Sequence, residues 1–446
     1  MRCRVFISGG GVAGLTLGLT LVKQGIDVVL AERRRGEGLQ YKGELLQPKS
    51  LQVLDRLGVL APVAAGSFPV RTMRLRELGG ESGSSAGAGD AVFDYSILAP
   101  PYHYALMHPH EQLKGILLDG ARRYPAFTLL QPGNVTGLKR GADGRVRAAA
   151  VETPDGTVTV EADFFLGAEG RVSPIRSEMD IGAERAEYNH HFLTVSFDRP
   201  PELREATVIS RQHRFLGLFP LPGDRVRTVL LIRPDEYKAM RTEGLSRFSR
   251  EYIRLYPAMD GYVQRLESWK QIQLMIPFRY NAERYVRDNL AIVGDAAHNV
   301  HPMAGEGMNM AIQDADILGR LIAHLYHANR PLRNALYWYD RVRRPRSAFV
   351  LKLSHLSALA YSYDYPGVSR LRGRVLQSIA ASDYLLFKYM LNVSGLGQWP
   401  DTPVDRLMML GLWPDGRPLS EPERLGCRFT DMDDYPWLGG ESLPAL

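Results

Sequence analysis

The sequence predicts an α/β fold: a Rossmann-like nucleotide-binding domain interrupted by an inserted mixed β-sheet and followed by a C-terminal helical region. Three observations predict it. A strand, glycine turn and helix open the chain, a second strand, glycine loop and helix recur near residue 300, and alternating strand-like stretches fill much of the interval. At 446 residues the chain exceeds one ordinary core, so two joined domains are expected. Its 45% hydrophobic and 23% charged residues are those of a soluble globular protein. Two cysteines, Cys3 and Cys427, supply neither a disulfide framework nor a metal site, which suits a reducing cytoplasm. A net charge of +6 comes without a nucleic-acid-binding motif, so no nucleic-acid partner is expected.

The opening unit starts with Arg2 and Arg4 ahead of an apolar run, which imitates a signal peptide. Gly9, Gly10, Gly11 and Gly14 break that run and give a better account of it. Val5–Ser8 reads as a buried strand, Gly9-x-Gly11-x-x-Gly14 as a turn, residues 12–24 as a helix, and 26–31 as a second strand ending at Glu32. This order sets a pyrophosphate on the N–H groups of Gly11, Val12, Ala13 and Gly14, and a ribose on the Glu32 carboxylate. Arg33, Arg34 and Arg35 follow, and read either as a grip on a 2′-phosphate or as a solvated basic turn.

The second unit spans residues 289–316. An apolar strand at 290–293 stops at Gly294, and Asp295 is the first carboxylate placed to point outward. A loop with Pro302, Gly305 and Gly307 leads into a helix over 308–325, with apolar residues at Met308, Ala311, Ile312, Ala315, Leu318, Leu321, Ile322 and Leu325. Glycines let backbone approach a flat or anionic ligand, and the helix start favours negative charge.

Here GDAAHNVHPMAGEGMNMAIQDA resembles the second flavin motif of the para-hydroxybenzoate hydroxylase family of single-component FAD-dependent monooxygenases. The resemblance implies that Asp295 holds the ribityl chain, that Pro302 lies beside the flavin ring, and that the amides of Gly307, Met308 and Asn309 face its pyrimidine edge. The N-terminal site, including Glu32 and Arg33, then takes the ADP half of one FAD. Gln47-Pro48-Lys49-Ser50-Leu51 resembles the segment that begins beside the flavin. His110 stands where the family commonly carries an arginine for the phosphates, and a neutral imidazole offers less charge there. Residues 163–176, with Gly167, Glu169, Gly170, Arg171 and Arg176, resemble the pyrophosphate and NAD(P)H-encounter motif, with Glu169 in the place of the usual aspartate. Weaker FAD binding and slower reduction are the corresponding expectations.

Between these units the chain changes texture. Residues 70–78 and 92–98 alternate like strands around a flexible loop at 79–90, and 111–124 reads as a helix. Strands at Phe127–Leu130, Asn134–Arg140, Val146–Thr153 and 157–162 are expected to form a small antiparallel layer. Residues 178–280 alternate at 191–197, 207–210, 214–219 and 227–232, with one helix near 245–256, and read as a sheet roofing a substrate pocket. Beyond 316, residues 337–346 are rich in arginine, and 349–361 and 370–391 read as helices. Arg370, Arg372, Arg374 and Lys388 interleave with apolar residues, which fits weak contact with an anionic membrane or the basic face of a helical cap. The proline-rich tail reads as extended. The expected division is 1–75, 100–177 and 281–345 for the FAD-binding domain, 76–99 and 178–280 for the substrate sheet, and 346–446 for the cap and tail.

By resemblance, NADH or NADPH reduces FAD, oxygen adds at C4a, and the hydroperoxide hydroxylates or epoxidises an electron-rich, apolar aromatic, quinone or quinolone-like molecule. Pro302 and Gly305 shape the flavin side of the cavity. Arg211, His213, Tyr280, His191 and Tyr95 are weak candidates for a substrate base, because they lie in the substrate region. The protein is expected to act as a monomer or homodimer in the cytoplasm, on a small molecule and O2, with no bound metal. The alternatives are a flavin-dependent reductase of an isoprenoid or other small molecule, and a non-catalytic flavin-binding relative.

Overall fold

Val5–Ser8 is apolar until its last residue and buried throughout, because it runs through a six-stranded sheet. The strand order is Val286–Arg287, Leu290–Ile292, Phe164–Gly167, Val5–Ser8, Val28–Ala31 and Phe127–Leu130. All neighbours run parallel except the antiparallel edge strand Val286–Arg287. Strands buried on both faces read as continuous apolar runs, which is the pattern here. The computed structural model describes residues 1–34, 36, 43–79, 89–329, 336–363, 367–414 and 417–439. Arg35 and most of the expected loop at 79–90 lie outside them.

Helix Val12–Lys23 packs between this sheet and helix Gly307–His327, and one continuous core joins all three. The sequence expectation is corrected at Phe127–Leu130. That strand pairs in parallel with Val28–Ala31 and leaves the antiparallel layer to Asn134–Arg140, Val146–Thr153 and Gly156–Glu161. The cause is helix His110–Arg122, which returns the chain so that the next strand joins the parallel edge.

A second, seven-stranded sheet has the order Gln273–Met275, His191–Asp198, Arg225–Ile232, Arg214–Leu221, Ala206–Arg211, Thr72–Glu77 and Gly89–Asp94. Its side chains alternate between two cores. Leu193, Val195, Leu216, Leu230 and Ile232 pack against Phe248, Tyr252 and Leu255 of helix Leu245–Leu255. Phe192, Val208, Phe215, Val229 and Leu231 face the other way, toward Tyr384, Phe387, Met390 and Leu391 of helix Asp383–Ser394.

The C-terminal region is helical, with three corrections. Residues 337–362 form one helix, Tyr337–Ser362, which runs through Pro345. Residues 370–391 divide at Ser382 into Val368–Ala381 and Asp383–Ser394, with the Ser382 hydroxyl capping the second helix. The tail folds into short helices, among them Pro403–Met409, Glu421–Gly426 and Asp431–Asp434. Capping boxes at Thr402, Ser420 and Thr430 fix each start. Pro403 and Pro422 lie in first turns, where a missing N–H costs no helical bond.

Candidate functional site

The two glycine-rich units meet although nearly three hundred residues separate them. Gly9 has φ 107°, and a methyl there would lie 2.4 Å from the Ala168 carbonyl oxygen. A methyl on Gly14 would lie 1.9 Å from the Gly9 oxygen, so helix, turn and strand close only with glycine at both positions. The Glu32 carboxylate accepts the Gly10 and Arg34 amides at 2.6 and 2.8 Å, while Arg33 is exposed. From the far unit, the Gly294 turn abuts the first helix: a methyl on Gly294 would lie 3.2 Å from the Ala13 Cβ. Asp295 sits half-buried in that turn, and its carbonyl accepts the Tyr280 hydroxyl.

The loop that follows is tied down by one side chain. Asn309 is fully buried; its Oδ1 accepts the Gln47 amide at 2.8 Å and the Ser50 hydroxyl at 2.7 Å. Its Nδ2 donates to the Leu45 and Gly305 carbonyls at 2.9 and 3.0 Å. Pro302 opens a 3₁₀ turn that ends with Gly305 in the left-handed region, and Gly307 and Met308 begin helix Gly307–His327. Among the described residues no side chain caps this helix or Val12–Lys23 at the N-terminus, so both present backbone donors.

A family model described as FAD binding domain matches residues 2–354. The chain is an FAD-dependent monooxygenase of the para-hydroxybenzoate hydroxylase family. Over 314 residues, 70% of this chain and 73% of the relative, it is 32% identical to 6-methylpretetramide 4-monooxygenase of Streptomyces rimosus. Ubiquinone hydroxylase UbiL of Rhodospirillum rubrum is 27% identical over 417 residues, 91% of this chain and 92% of the relative. Among solved structures, p-nitrophenol 4-monooxygenase PnpA of Pseudomonas putida DLL-E4 superposes with TM-score 0.77 at 18% identity, over 88% of this chain and 98% of that chain. PqsL of P. aeruginosa in complex with 2-aminobenzoylacetate superposes with TM-score 0.75 at 23% identity, over 83% of this chain and all of that chain. At these identities the structural likeness shows a shared fold.

The residues present in this monooxygenase fit FAD. Among the described residues a side chain on Gly11 would meet nothing within 4 Å, so the turn is open to them where the first helix begins and closed behind by Gly9 and Gly14. An open cradle of uncapped amides suits a pyrophosphate. His110 starts helix His110–Arg122, half-buried, with Nδ1 3.2 Å from the Gly43 carbonyl. Glu169 accepts the Ser173 hydroxyl at 2.6 Å, and burial pushes its carboxyl above the usual range. Arg176 clamps the loops, donating to Tyr280 Oη at 3.0 Å and the Ala296 carbonyl at 2.8 Å.

The candidate bases are placed unfavourably for that role. Tyr280 is committed to Asp295 and Arg176, and burial pushes its phenol up to about 12. Tyr95 is buried and donates to Gln47 Oε1 at 2.9 Å. Arg211 and His213 flank a hairpin turn at Gln212, whose carbonyl accepts Arg372. His191 begins its strand half-buried, and burial lowers its imidazole.

Sequence reasoning missed four buried groups beside the loop. Asp314 accepts Gly294 N–H at 2.9 Å, His298 Nε2 at 2.6 Å and Arg343 Nε at 2.6 Å. His190 and His301 bond Nε2 to Nε2 at 2.8 Å. Because His301 Nδ1 accepts the Met303 amide, its proton sits on Nε2 and is donated to His190. Burial depresses both, to about 2 for His301 and about 4 for His190. The fourth, Glu306, lies between the two glycines that were read for their backbone alone. A carboxylate at an apolar turn was the available signal.

Proposed function

We propose that this monooxygenase hydroxylates an electron-rich, largely apolar aromatic or quinone-like small molecule, with NADH or NADPH and O2 as co-substrates. The observation that carries it is the apolar face of the seven-stranded sheet. Phe192, Phe215, Val229 and Leu231 pack in one cluster with Met303 of the Pro302 loop, so loop and sheet share an apolar wall. Aromatic partners at the same place, Phe215 against Tyr361 with centroids 5.3 Å apart and Phe93 against Tyr389 at 4.8 Å, suit a flat aromatic guest. The named activities of the two curated relatives, on a pretetramide and on ubiquinone, support the same class.

When bound, FAD supplies the redox chemistry that couples NAD(P)H to O2. In this reading the amides of Gly11, Val12, Ala13 and Gly14 bind its pyrophosphate, Glu32 its ribose and Asp295 its ribityl chain. Gly307, Met308 and Asn309 present amides to the ring, Pro302 and Gly305 set the cavity wall, and Gln47 sits beneath. Arg33, His110 and Glu169 border the phosphate side. We divide the chain as 1–75, 100–177 and 281–345 for FAD, 76–99 and 178–280 for substrate, and 346–446 as the cap.

The membrane reading of the cap loses half its cations. Arg372 and Lys388 are buried against Glu77 and Asp405, and no helix among the described residues is long and apolar enough to cross a membrane. We place the protein in the cytoplasm as a monomer or homodimer. The test is NAD(P)H-dependent oxygen uptake with a panel of phenols, quinolones and quinone precursors. One substrate class should accelerate uptake and acquire one ¹⁸O atom from ¹⁸O2. Uptake with no labelled product from any of them would defeat the reading.

A further inference from the structure

His301 stands immediately before Pro302 and is held from three sides. Its Nδ1 accepts the Met303 amide at 3.2 Å and so caps the 3₁₀ turn Pro302–Ala304. Its carbonyl accepts the Ser354 hydroxyl of helix Tyr337–Ser362 at 2.8 Å. Its Nε2 donates at 2.8 Å to Nε2 of His190, one residue before strand His191–Asp198, and this bond ties the cap of the turn to the seven-stranded sheet. Phe192 of that strand packs against both rings, with centroids 5.4 Å from His190 and 5.6 Å from His301.

The rings can keep these bonds in one protonation state. As neutral imidazoles, His301 spends its proton on His190 and leaves Nδ1 to accept Met303, while His190 leaves Nε2 to accept His301. A further proton has two places to enter, and each breaks a bond. On His190 Nε2 it sets two N–H donors face to face; on His301 Nδ1 it sets a donor against the Met303 amide. Both rings are buried, 3% and 1% exposed, so the stranded donor has no water at hand. Burial first, then His191 acting on His190 and the pair of His190 and His355 acting on His301, hold the two at about 4 and about 2. Tyr188, held neutral by burial, lies 4.4 Å from the His301 ring and bonds His355 Nδ1 at 3.1 Å. Arg279 of strand Phe278–Asn281 adds a cation beside Tyr188 and His355.

We propose that His190 and His301 are positioning residues that seat the Pro302 turn on the seven-stranded sheet only as two neutral imidazoles, so that acid unlatches the turn. Its consequence for the cofactor rests on the reading that Pro302 lies beside the flavin. The latched state excludes protons that the released imidazoles take up below their ordinary value of 6.5. The latch therefore holds fully above that value and weakens as pH falls through and below it. Each proton taken up on release raises the unlatched population roughly 8-fold between pH 6 and pH 5.

The test is hydrogen exchange of the FAD-loaded full chain, read by mass spectrometry on peptides covering residues 301–309 and corrected for the intrinsic rate at each pH. In wild type the opening of this segment should grow roughly 8-fold or more from pH 6 to pH 5 while strand Val5–Ser8 stays protected. His190→Phe keeps a ring but no acceptor, and should open about 2- to 12-fold more than wild type at pH 7, the loss of one hydrogen bond. His190→Gln keeps an acceptor that does not titrate, so it should stay latched at pH 7 and show a smaller acid slope than wild type. His191 and His355 remain in both variants, so their own titration leaves that difference intact. Wild-type opening indifferent to pH, or an equal acid slope in wild type and His190→Gln, overturns the latch. Flavin fluorescence gives a second readout: FAD should leave wild type faster as pH falls from 6 to 5, and leave His190→Gln with the smaller slope. Exchange that shows the slope while FAD release ignores it keeps the latch and overturns the placement of Pro302 beside the flavin.

Discussion

Asn309 uses all four of its hydrogen-bonding positions on groups from two distant parts of the chain, residues 45–50 and Gly305. Each such bond contributes about 0.5–1.5 kcal/mol net, and a buried partner left unsatisfied costs about 1–3 kcal/mol. Asn309→Ala strands the Gln47 amide and the Leu45 and Gly305 carbonyls together. It is expected to destabilise by roughly 3–5 kcal/mol in urea unfolding and to release FAD on gel filtration. Asn309→Asp should fare no better, since it keeps both acceptors but sets an anion against two carbonyl oxygens. The resemblance assigned this residue an amide role. Its side-chain role was illegible because its partners lie about 260 positions upstream, and nothing in the local spacing connects them. Glu306 was overlooked for a related reason: a turn read for its glycines directs attention to backbone.

At the scale of elements, helix Gly307–His327 is anchored to the turn after Leu290–Ile292 through Asp314, with Arg343 of helix Tyr337–Ser362 as the third member. Asp314 is fully buried and Arg343 is 2% exposed, so removing the acid strands a buried guanidinium. Asp314→Ala is expected to lose about 3–5 kcal/mol at neutral pH, measured by chemical denaturation. Its pKa is depressed in the fold by the His298 and Arg343 charges acting against burial. The stabilisation is thus present above the unfolded value of 3.8 and lost as pH falls below it. The gap between wild type and Asp314→Ala should therefore narrow below about pH 4. A gap independent of pH would deny the charge its role.

The elements themselves were legible where periodicity was strong: doubly buried strands gave apolar runs, and the helix after Gly307 kept its apolar stripe. Phe127–Leu130 was legible as a strand but not as a parallel one, because sheet membership depends on the crossover before it. The tail's helices were hidden by its prolines, two of which occupy first turns where they are tolerated.

Over the whole molecule, two attachments hold the parts in register, one supplied by the ligand and one by buried charge. The cradle proposed for the cofactor draws on residues 9–14 and 294–309, which already touch through Ala13 and Gly294. FAD at a hundredfold its Kd should add about 2.7 kcal/mol to the folded state. Amide exchange should slow in both segments together, since either alone forms half a cradle. The second attachment is Arg372, 4% exposed, which donates Nε and Nη2 to the two oxygens of Glu77 at 2.7 Å and binds helix Val368–Ala381 to the edge of the seven-stranded sheet. A buried pair of this kind is worth little against a well-packed apolar pair, but breaking it on one side is costly. Glu77→Leu and Arg372→Met are each expected to lose roughly 3–5 kcal/mol and to open the C-terminal helices to limited proteolysis. The double variant should recover most of that loss, leaving a large favourable coupling in the cycle. Additive losses would mean that the helix is held by its apolar contacts with the sheet, and that the ion pair is incidental to its attachment.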